Sequence, residues 1–399
     1  MTNFSSMKLK SILFFFCLFI ALNSLIVAAE KNPLTIVREE FRGGWVPTIV
    51  NLCFPSRAGL SREEQKREIL TLLDTASRAR LNHLFFQVRP EADAFYHSSL
   101  EPWSRYLTGV QGRSPGFDPL EFFIAQGHRR GIAIHAWFNP YRVAIDRRAP
   151  NCSLHLSHHA PSLVHPIGSK MLWLDPGDPK TQDHVLTVIT DVMQRYDIDG
   201  IHLDDYFYPY PEFLNRKRFP DTATYRAYQQ QGGKLSLSDW RRASVNTFIH
   251  RLSRTVHQQK PGILFGISPF GIYTKGQPRE VQAGLDQFHE LYADPLLWMR
   301  EGWVDYMAPQ LYWKNQGPQS FRSLLRWWRS PQVNPRAIPI YPGIALENLV
   351  EQHWPVQEIA TQLKIEKETL PRKRGGFILW NMKQLEENIQ GVASLVKDS

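Results

Sequence analysis

The chain has 399 residues and a formal charge of +9, with 43% apolar and 21% charged residues. That composition excludes global disorder, and the length suits one large α/β domain or two smaller ones. The basic balance suits an anionic polymer, and no Lys/Arg-rich arm or nucleic-acid module is present, so nucleic acid is the weaker choice of partner.

The N-terminus reads as a targeting segment. Lys8 and Lys10 form a basic stretch, Ile12 to Ile26 an apolar one, and Val27, Ala28 and Ala29 a small-residue cleavage site. Residues 1–29 are expected to be a signal peptide or an N-terminal anchor, and residues 30–399 a single domain. Cys17 lacks the small residues that precede a lipid-modified cysteine. The protein is expected to be secreted or periplasmic, touching a membrane only through an uncleaved N-terminal segment. Cleavage would leave Cys53 and Cys152, which could pair in an oxidising compartment.

Eight short apolar runs bounded by Gly, Pro, Asn or Asp predict strands. They are Gly44–Val50, His83–Arg89, Ile132–Asn139, Gly200–Asp204, Leu264–Ser268, Asp305–Leu311, Ala337–Gly343 and Gly376–Trp380. Helical stretches lie between them. Ser61 and Glu64 form a capping box before a helix to Ala79. Asp118 and Pro119 open a helix to Arg130, which Gly131 stops. Further helices are expected over Pro179–Tyr196, Ser238–Gln259, Gln282–Arg300, Ser320–Trp328, Pro355–Leu370 and Leu385–Val396. Eight strands alternating with helices predict a (β/α)8 TIM barrel. A doubly wound sheet would bring a glycine-rich phosphate turn after the first strand, and Val46-Pro47-Thr48 is not one. Tyr141–Asp178 and Tyr206–Ser236 are long insertions after strands 3 and 4, at the rim where barrels carry their sites.

Side chains alternate along a strand, so polar groups can be assigned to the barrel axis. Gln87 and Arg89 face inward on the second strand, and His135, Trp137 and Asn139 on the third. His202 and Asp204 do so on the fourth, Gln310 and Tyr312 on the sixth, and Trp380 lies near the mouth. The densest signal is DGIHLDDYFYPYP, Asp199 to Pro211, where Asp204 and Asp205 end a strand and Tyr206, Phe207, Tyr208 and Tyr210 follow. Paired carboxylates beside flat rings are what sugar cleavage needs, because acids move the proton and rings stack on pyranose faces. Burial beside Asp205 would raise one pKa of the pair, leaving an acid and a base at one site. Asp205 can equally cap the following turn. Asp175 is a further carboxylate candidate, although Asp-Pro-Gly is also an ordinary turn. Glu91 and Glu347 follow the second and seventh strands and are also candidates for the second catalytic group, although a solvated surface role is the default for each. His155, His158, His159 and His165 match no closed metal set, so no metal or cofactor is expected.

FRGGWVPT, FFQVRPEADAFY, GIAIHAWFNPYR, WLDPGDP, DGIHLDDYFYPYP, SDWRR, FGISPFGIY, VDYMAPQLYW and YPGIA resemble, in that order, the motifs of the glycosyl-hydrolase-like family 10. The resemblance covers about Arg42 to Trp380. It implies a catalytic barrel, export, and cleavage of peptidoglycan glycan strands already stripped of stem peptides, with the strand-four motif on Asp204 and Asp205. Chitinase-like barrels end that strand on DGxDxDxE, and here Tyr206 stands at the Glu position.

The expected function is therefore glycoside hydrolysis of an anionic amino-sugar polysaccharide. Asp204 would act as acid or nucleophile, and Asp205 as its partner. Arg89 or Arg142 would pair bidentately with the lactyl carboxylate that stem-peptide removal exposes. Gln87, His135, Asn139, Tyr141, His202 and Gln310 would contact substrate, and Trp137, Tyr206, Tyr312, Trp313 and Trp380 would stack on sugars. The alternatives are a glycan-binding barrel with little catalysis, or a metal-dependent polysaccharide hydrolase using His135 and His202 with Asp204.

Overall fold

The computed structural model describes residues 40–369 and 375–399. The expected targeting segment, Cys17 and Leu370 lie outside them. The first strands are β1 (Phe41–Val46), β2 (His83–Arg89) and β3 (Ala133–Phe138). An insertion contributes β4 (Arg142–Ala144), β5 (Val164–Ile167) and β6 (Met171–Leu174). The chain then forms β7 (Gly200–Leu203), β8 (Leu264–Ile267), β9 (Tyr306–Met307), β10 (Gly343–Ala345) and β11 (Gly376–Trp380).

Eight of these strands form one parallel sheet in the order β10-β11-β1-β2-β3-β7-β8-β9. Parallel bridges from Met307 to Ile340 and from Gln310 to Gly343 join its two edges. The sheet is thereby closed as a TIM barrel. Of the two predicted insertions, Tyr141–Asp178 folds into an antiparallel sheet ordered β4-β6-β5, and Tyr206–Ser236 carries a helix over Thr222–Gln230.

Alternation along each strand divides the apolar residues into two cores. Leu84, Phe86, Ile134, Ala136, Ile201 and Leu203 pack outward against the helices. Phe41, Trp45, Phe85, Trp137, Tyr306 and Ile378 fill the axis. Full burial of each large apolar side chain contributes about 1.5–3 kcal/mol. The axis also holds a polar thread. Trp45 Nε1 donates to His202 Nε2 (3.1 Å), and His202 Nδ1 lies 2.9 Å from the Tyr306 hydroxyl. That hydroxyl is 3.3 Å from His135 Nδ1, whose Nε2 is 3.0 Å from His83 Nδ1. An indole N–H can only donate, so His202 accepts at Nε2 and carries its proton on Nδ1. Tyr306 then donates to His135, and His135 to His83. Burial drives all three imidazoles down, His135 to about 4, and keeps them neutral.

Sequence expectation and structure differ at several strands and helices, each for a local reason. The first strand begins at Phe41, not Gly44, because Gly43 and Gly44 are strand residues here. A Cβ on Gly44 would meet Met382 Sδ at 2.6 Å, so the glycine permits close packing. The sixth and seventh strands are short because Pro309, Pro339 and Pro342 interrupt ladders expected to run through them. The expected helix Gln282–Arg300 is two short helices, Gln287–Glu290 and Pro295–Glu301, parted by Tyr292 at φ 55° and by Pro295. Leu385–Val396 is likewise broken where Asn388, Gln390 and Gly391 take positive φ. The Ser61–Glu64 capping box and the Asp118 cap form as expected. Cys53 and Cys152 are both free thiols. Among the described residues, no helix is long and apolar enough to cross a membrane.

Gly200 is one of the tightest points of the axis. A Cβ there would land on the His135 imidazole, which His83 and Tyr306 hold in place. Gly200→Ala is expected to cost about 1–3 kcal/mol through overpacking, measured from the urea midpoint. An unchanged midpoint would show that the imidazole is free to swing aside.

Candidate active site

Asp204 follows directly on β7, at the C-terminal end of the barrel, and is 3% exposed. Its Oδ2 accepts from Trp137 Nε1 at 3.2 Å and from Asn139 Nδ2. The Oδ1 receives only a 3.5 Å approach from the Tyr206 backbone N–H. One oxygen is therefore firmly held and the other only by that long contact. Burial pushes the Asp204 pKa up to about 7, against the downward pull of Arg142 and with a further upward push from the Asp205 charge. Asn139 and Trp137 also favour the ionised form, but the sum still leaves a carboxyl that holds its proton far above the usual range.

Asp205 is held separately. Gln310 Nε2 donates to its Oδ1 at 3.2 Å, and the Tyr210 hydroxyl to its Oδ2. Burial raises it to about 6, opposed by these two donors. Both Asp205 oxygens are thus occupied by protein donors, unlike those of Asp204.

Asn139 connects the acid to its surroundings. Its Oδ1 accepts from Gln87 Nε2 and from Arg142 Nη2, both at 2.5 Å, which leaves its Nδ2 to donate to Asp204. Gln87 is itself fixed by the backbone N–H groups of Thr48 (2.8 Å) and Ile49 (3.0 Å). Arg142 donates through Nε to Pro90 O at 2.9 Å, and its guanidinium lies 5.1 Å from the Tyr206 ring centroid. Among the described residues only Nη1 has no partner, so the two-pronged fork expected of Arg142 is reduced to one nitrogen.

Aromatic rings wall the same rim. Trp137 packs edge-on against Trp380 at 6.0 Å, and Tyr312 stacks on Trp380 at 6.4 Å. From Asp205 a second run passes through Tyr210 to Phe270 (6.3 Å) and on to Trp313 (5.5 Å). The structure therefore brings together Trp137, Asn139, Arg142, Asp204, Asp205, Tyr206, Gln310, Tyr312, Trp313 and Trp380.

Other predicted site residues lie elsewhere. His135 and His202 belong to the buried axial thread and are unexposed. Arg89 forms a fully buried bidentate pair with Glu101 (2.5 and 2.7 Å) and donates its remaining Nη1 to the carbonyls of Asn139 and Pro140. It has no edge left for a substrate carboxylate. Gln87 is consumed by its three partners. Tyr141 is buried against Phe248 at 5.4 Å. Asp175 accepts from the Gly177 N–H (2.8 Å) and from Thr224 Oγ1, which is the turn its Asp-Pro-Gly sequence also allowed. Glu91 was expected on the surface and is instead buried. It takes the Tyr106 hydroxyl (2.8 Å) and the Ile145 N–H, and so ties the first insertion to the barrel.

One residue of the rim escaped sequence reasoning. Tyr210 was one of several aromatics in its run, and nothing in the spacing marked it as the donor to Asp205. Glu347, a candidate second carboxylate with a surface role as its default, is half-buried and accepts from Trp380 Nε1 at 2.6 Å. Its place just after the seventh barrel strand was the available signal. Among the described residues, no three His, Cys, Asp or Glu side chains are placed to share a metal ion.

The model of the family described as Glycosyl hydrolase-like 10 matches residues 40–357. The chain belongs to that family. It is 37% identical to the glycosyl hydrolase YngK of Bacillus subtilis over 366 residues, covering 88% of this chain and 70% of that one. It is 32% identical to the glycosyl hydrolase DigH of Escherichia coli over 367 residues, covering 84% and 82%. In fold, it superimposes with a TM-score of 0.57 on the PgaB (BpsB) glycoside hydrolase domain from Bordetella bronchiseptica, at 13% identity, covering 90% of this chain and 98% of that one. The chain is thus a glycosidase with a carbohydrate substrate.

The raised pKa of Asp204 has a consequence for stability. The folded chain holds this proton more tightly than the unfolded chain does. Its favourable contribution is complete below about pH 4 and lost as the pH rises through 7. Asp204→Asn removes that loss. The gain in stability of the variant over wild type should be larger at pH 8 than at pH 5 by roughly 2–3 kcal/mol in urea titrations. An equal difference at both pH values would contradict a protonated Asp204.

Proposed function

We propose that this enzyme hydrolyses peptidoglycan glycan strands from which the stem peptides have been removed, at the cell envelope. The observation that carries the reading is Asp204, a carboxyl with one held oxygen and one open oxygen beside a cationic Arg142. A protonated Asp204 can give its proton to the glycosidic oxygen as the bond to C1 breaks, which is the general-acid half of glycoside hydrolysis. Stem-peptide removal leaves a lactyl carboxylate on each muramic acid, and Arg142 Nη1 offers it a charge-assisted contact. Trp137, Tyr312 and Trp380 supply flat apolar faces for the sugar rings. The overall charge of +9 favours an anionic glycan, and the N-terminal targeting segment supports an envelope location.

The test is turnover of amidase-treated peptidoglycan strands, read as new reducing ends and shortened chains. Wild type is expected to cleave them faster than strands that keep their peptides. Asp204→Asn should lower kcat/KM by at least ~100-fold. Binding without shortening would leave a glycan-binding barrel instead, and turnover abolished by chelation would favour the metal-dependent alternative.

The pH profile gives a second measure. Activity of wild type should fall as the pH rises through about 7, where Asp204 loses its proton. Arg142 pulls that pKa down, so Arg142→Gln should move the alkaline limb to higher pH while raising KM for denuded strands. A limb that stays in place in this variant would mean that another group controls it.

A further inference from the structure

Most glycoside hydrolases use a second carboxylate, and the rim holds one that the sequence offered only as a candidate. Glu347 lies two residues beyond β10 and its backbone N–H donates to Trp380 O at 3.1 Å, which fixes it against the end of β11. Its Oε2 accepts from Trp380 Nε1 at 2.6 Å, and among the described residues its Oε1 has no hydrogen-bond partner. The parallel with Asp204 is close. Each carboxylate has one oxygen held by an indole N–H and the other open. The two indoles, Trp137 and Trp380, pack edge to face with centroids 6.0 Å apart. Asp204 and Glu347 are thus the two ends of one chain of contacts across the barrel mouth.

Two rim hydroxyls feel both carboxylates. The hydroxyls of Tyr206 and Tyr312 are each pushed up first by burial, and both also feel Asp204, Asp205 and Glu347. Asp205 is the poorer partner because Gln310 and Tyr210 occupy both of its oxygens. Burial raises Glu347, while the Trp380 N–H and Lys383 favour its ionised form and Glu351 opposes it.

We propose that Glu347 is the second catalytic carboxylate, acting as the ionised partner of Asp204. The proposal rests on the glycosidase reading above but not on the choice of peptidoglycan. Asp204 Oδ1 gives its proton to the glycosidic oxygen, which leaves with the electron pair of its bond to C1. Glu347 Oε1 supplies the new pair at C1 in one of two ways. It attacks directly, and the resulting ester is then hydrolysed by a water that returns its proton to Asp204. Otherwise it takes the proton of a water that attacks C1. Retention of the anomer identifies the first route and inversion the second.

The experiment compares wild type, Glu347→Gln, Glu347→Ala and Trp380→Phe on whichever glycan wild type cleaves from a panel of denuded peptidoglycan, intact peptidoglycan and chitin oligomers. The substrate assignment can therefore fail without this inference failing. Glu347→Gln should keep the wild-type melting temperature and lose at least ~100-fold in kcat/KM. It should also lose the acid limb of the pH profile, while Asp204→Asn loses the alkaline one. Azide or formate should restore turnover to Glu347→Ala. Trp380→Phe keeps a ring but removes the donor, so it should move the acid limb to higher pH. Wild-type turnover in Glu347→Gln would overturn the proposal. So would a loss that leaves both limbs in place and is not rescued by either anion, because that is the signature of a positioning residue. A wild type inactive on the whole panel would overturn both readings.

Discussion

The active rim depends on the orientation of one carboxamide. Asn139 can present its Nδ2 to Asp204 only because its Oδ1 is already taken by Gln87 and Arg142. A flipped amide would turn an acceptor toward a carboxylate and leave two buried donors facing an N–H group, at about 1–3 kcal/mol for each group left unpaired. This one side chain joins β2, β3, the first insertion and the end of β7. The acid therefore inherits its position from groups fixed by backbone hydrogen bonds, such as Gln87 on the Thr48 and Ile49 N–H groups.

Below that level the barrel is unusually polar along its axis, and its chemistry stays silent. Three imidazoles, a phenol and an indole form a thread in which each donor between rings meets an acceptor, which offsets part of the cost of burial, and burial keeps the imidazoles neutral. The same burial has the opposite value at the rim. There it raises the carboxyl that the proposed mechanism uses as its acid. The difference is stoichiometric. In the thread the atoms that link one ring to the next are matched, whereas Asp204 Oδ1 has only the long Tyr206 N–H contact and Glu347 Oε1 has no partner among the described residues.

Periodicity carried most of the fold and part of the site. The assignment of Ile201 and Leu203 to the helices and His202 to the axis follows from alternation alone, and the structure agrees. Alternation says which way a side chain points but not what has already claimed it. Gln87 does point inward, yet the Thr48 and Ile49 N–H groups and Asn139 consume it. A bulge after Gln87 sets Arg89 opposite the outward-facing Phe138, where Glu101, twelve residues on and with no local signature, occupies its fork. His135 and His202 also point inward, but at a depth where only protein can reach them. Depth along a strand is set by register with neighbouring strands, such as Trp137 beside His202, and register is not visible in a single segment. The prolines and positive-φ residues that shortened predicted elements were legible, and Pro295 inside an expected helix was the clearest of them.

The placement of the two insertions explains why acid, cation and rings converge. The first insertion leaves the barrel immediately after Asn139 and returns as β4, which sets Arg142 three residues beyond its hydrogen-bond partner. The second leaves after Asp205 and folds back at once, so that Tyr206 lies under the Arg142 guanidinium and Tyr210 reaches Asp205. Each insertion thus spends its first residues on the barrel before departing. Glu91 anchors the far side of the first one through the Ile145 N–H, and the buried Glu101–Arg89 pair braces the loop beneath. A cation held by Asn139 and Pro90, and braced over an aromatic ring, has little freedom to collapse onto Asp204. It lowers the pKa of that acid without neutralising it in an ion pair, and the carboxyl keeps its proton up to about 7 for transfer.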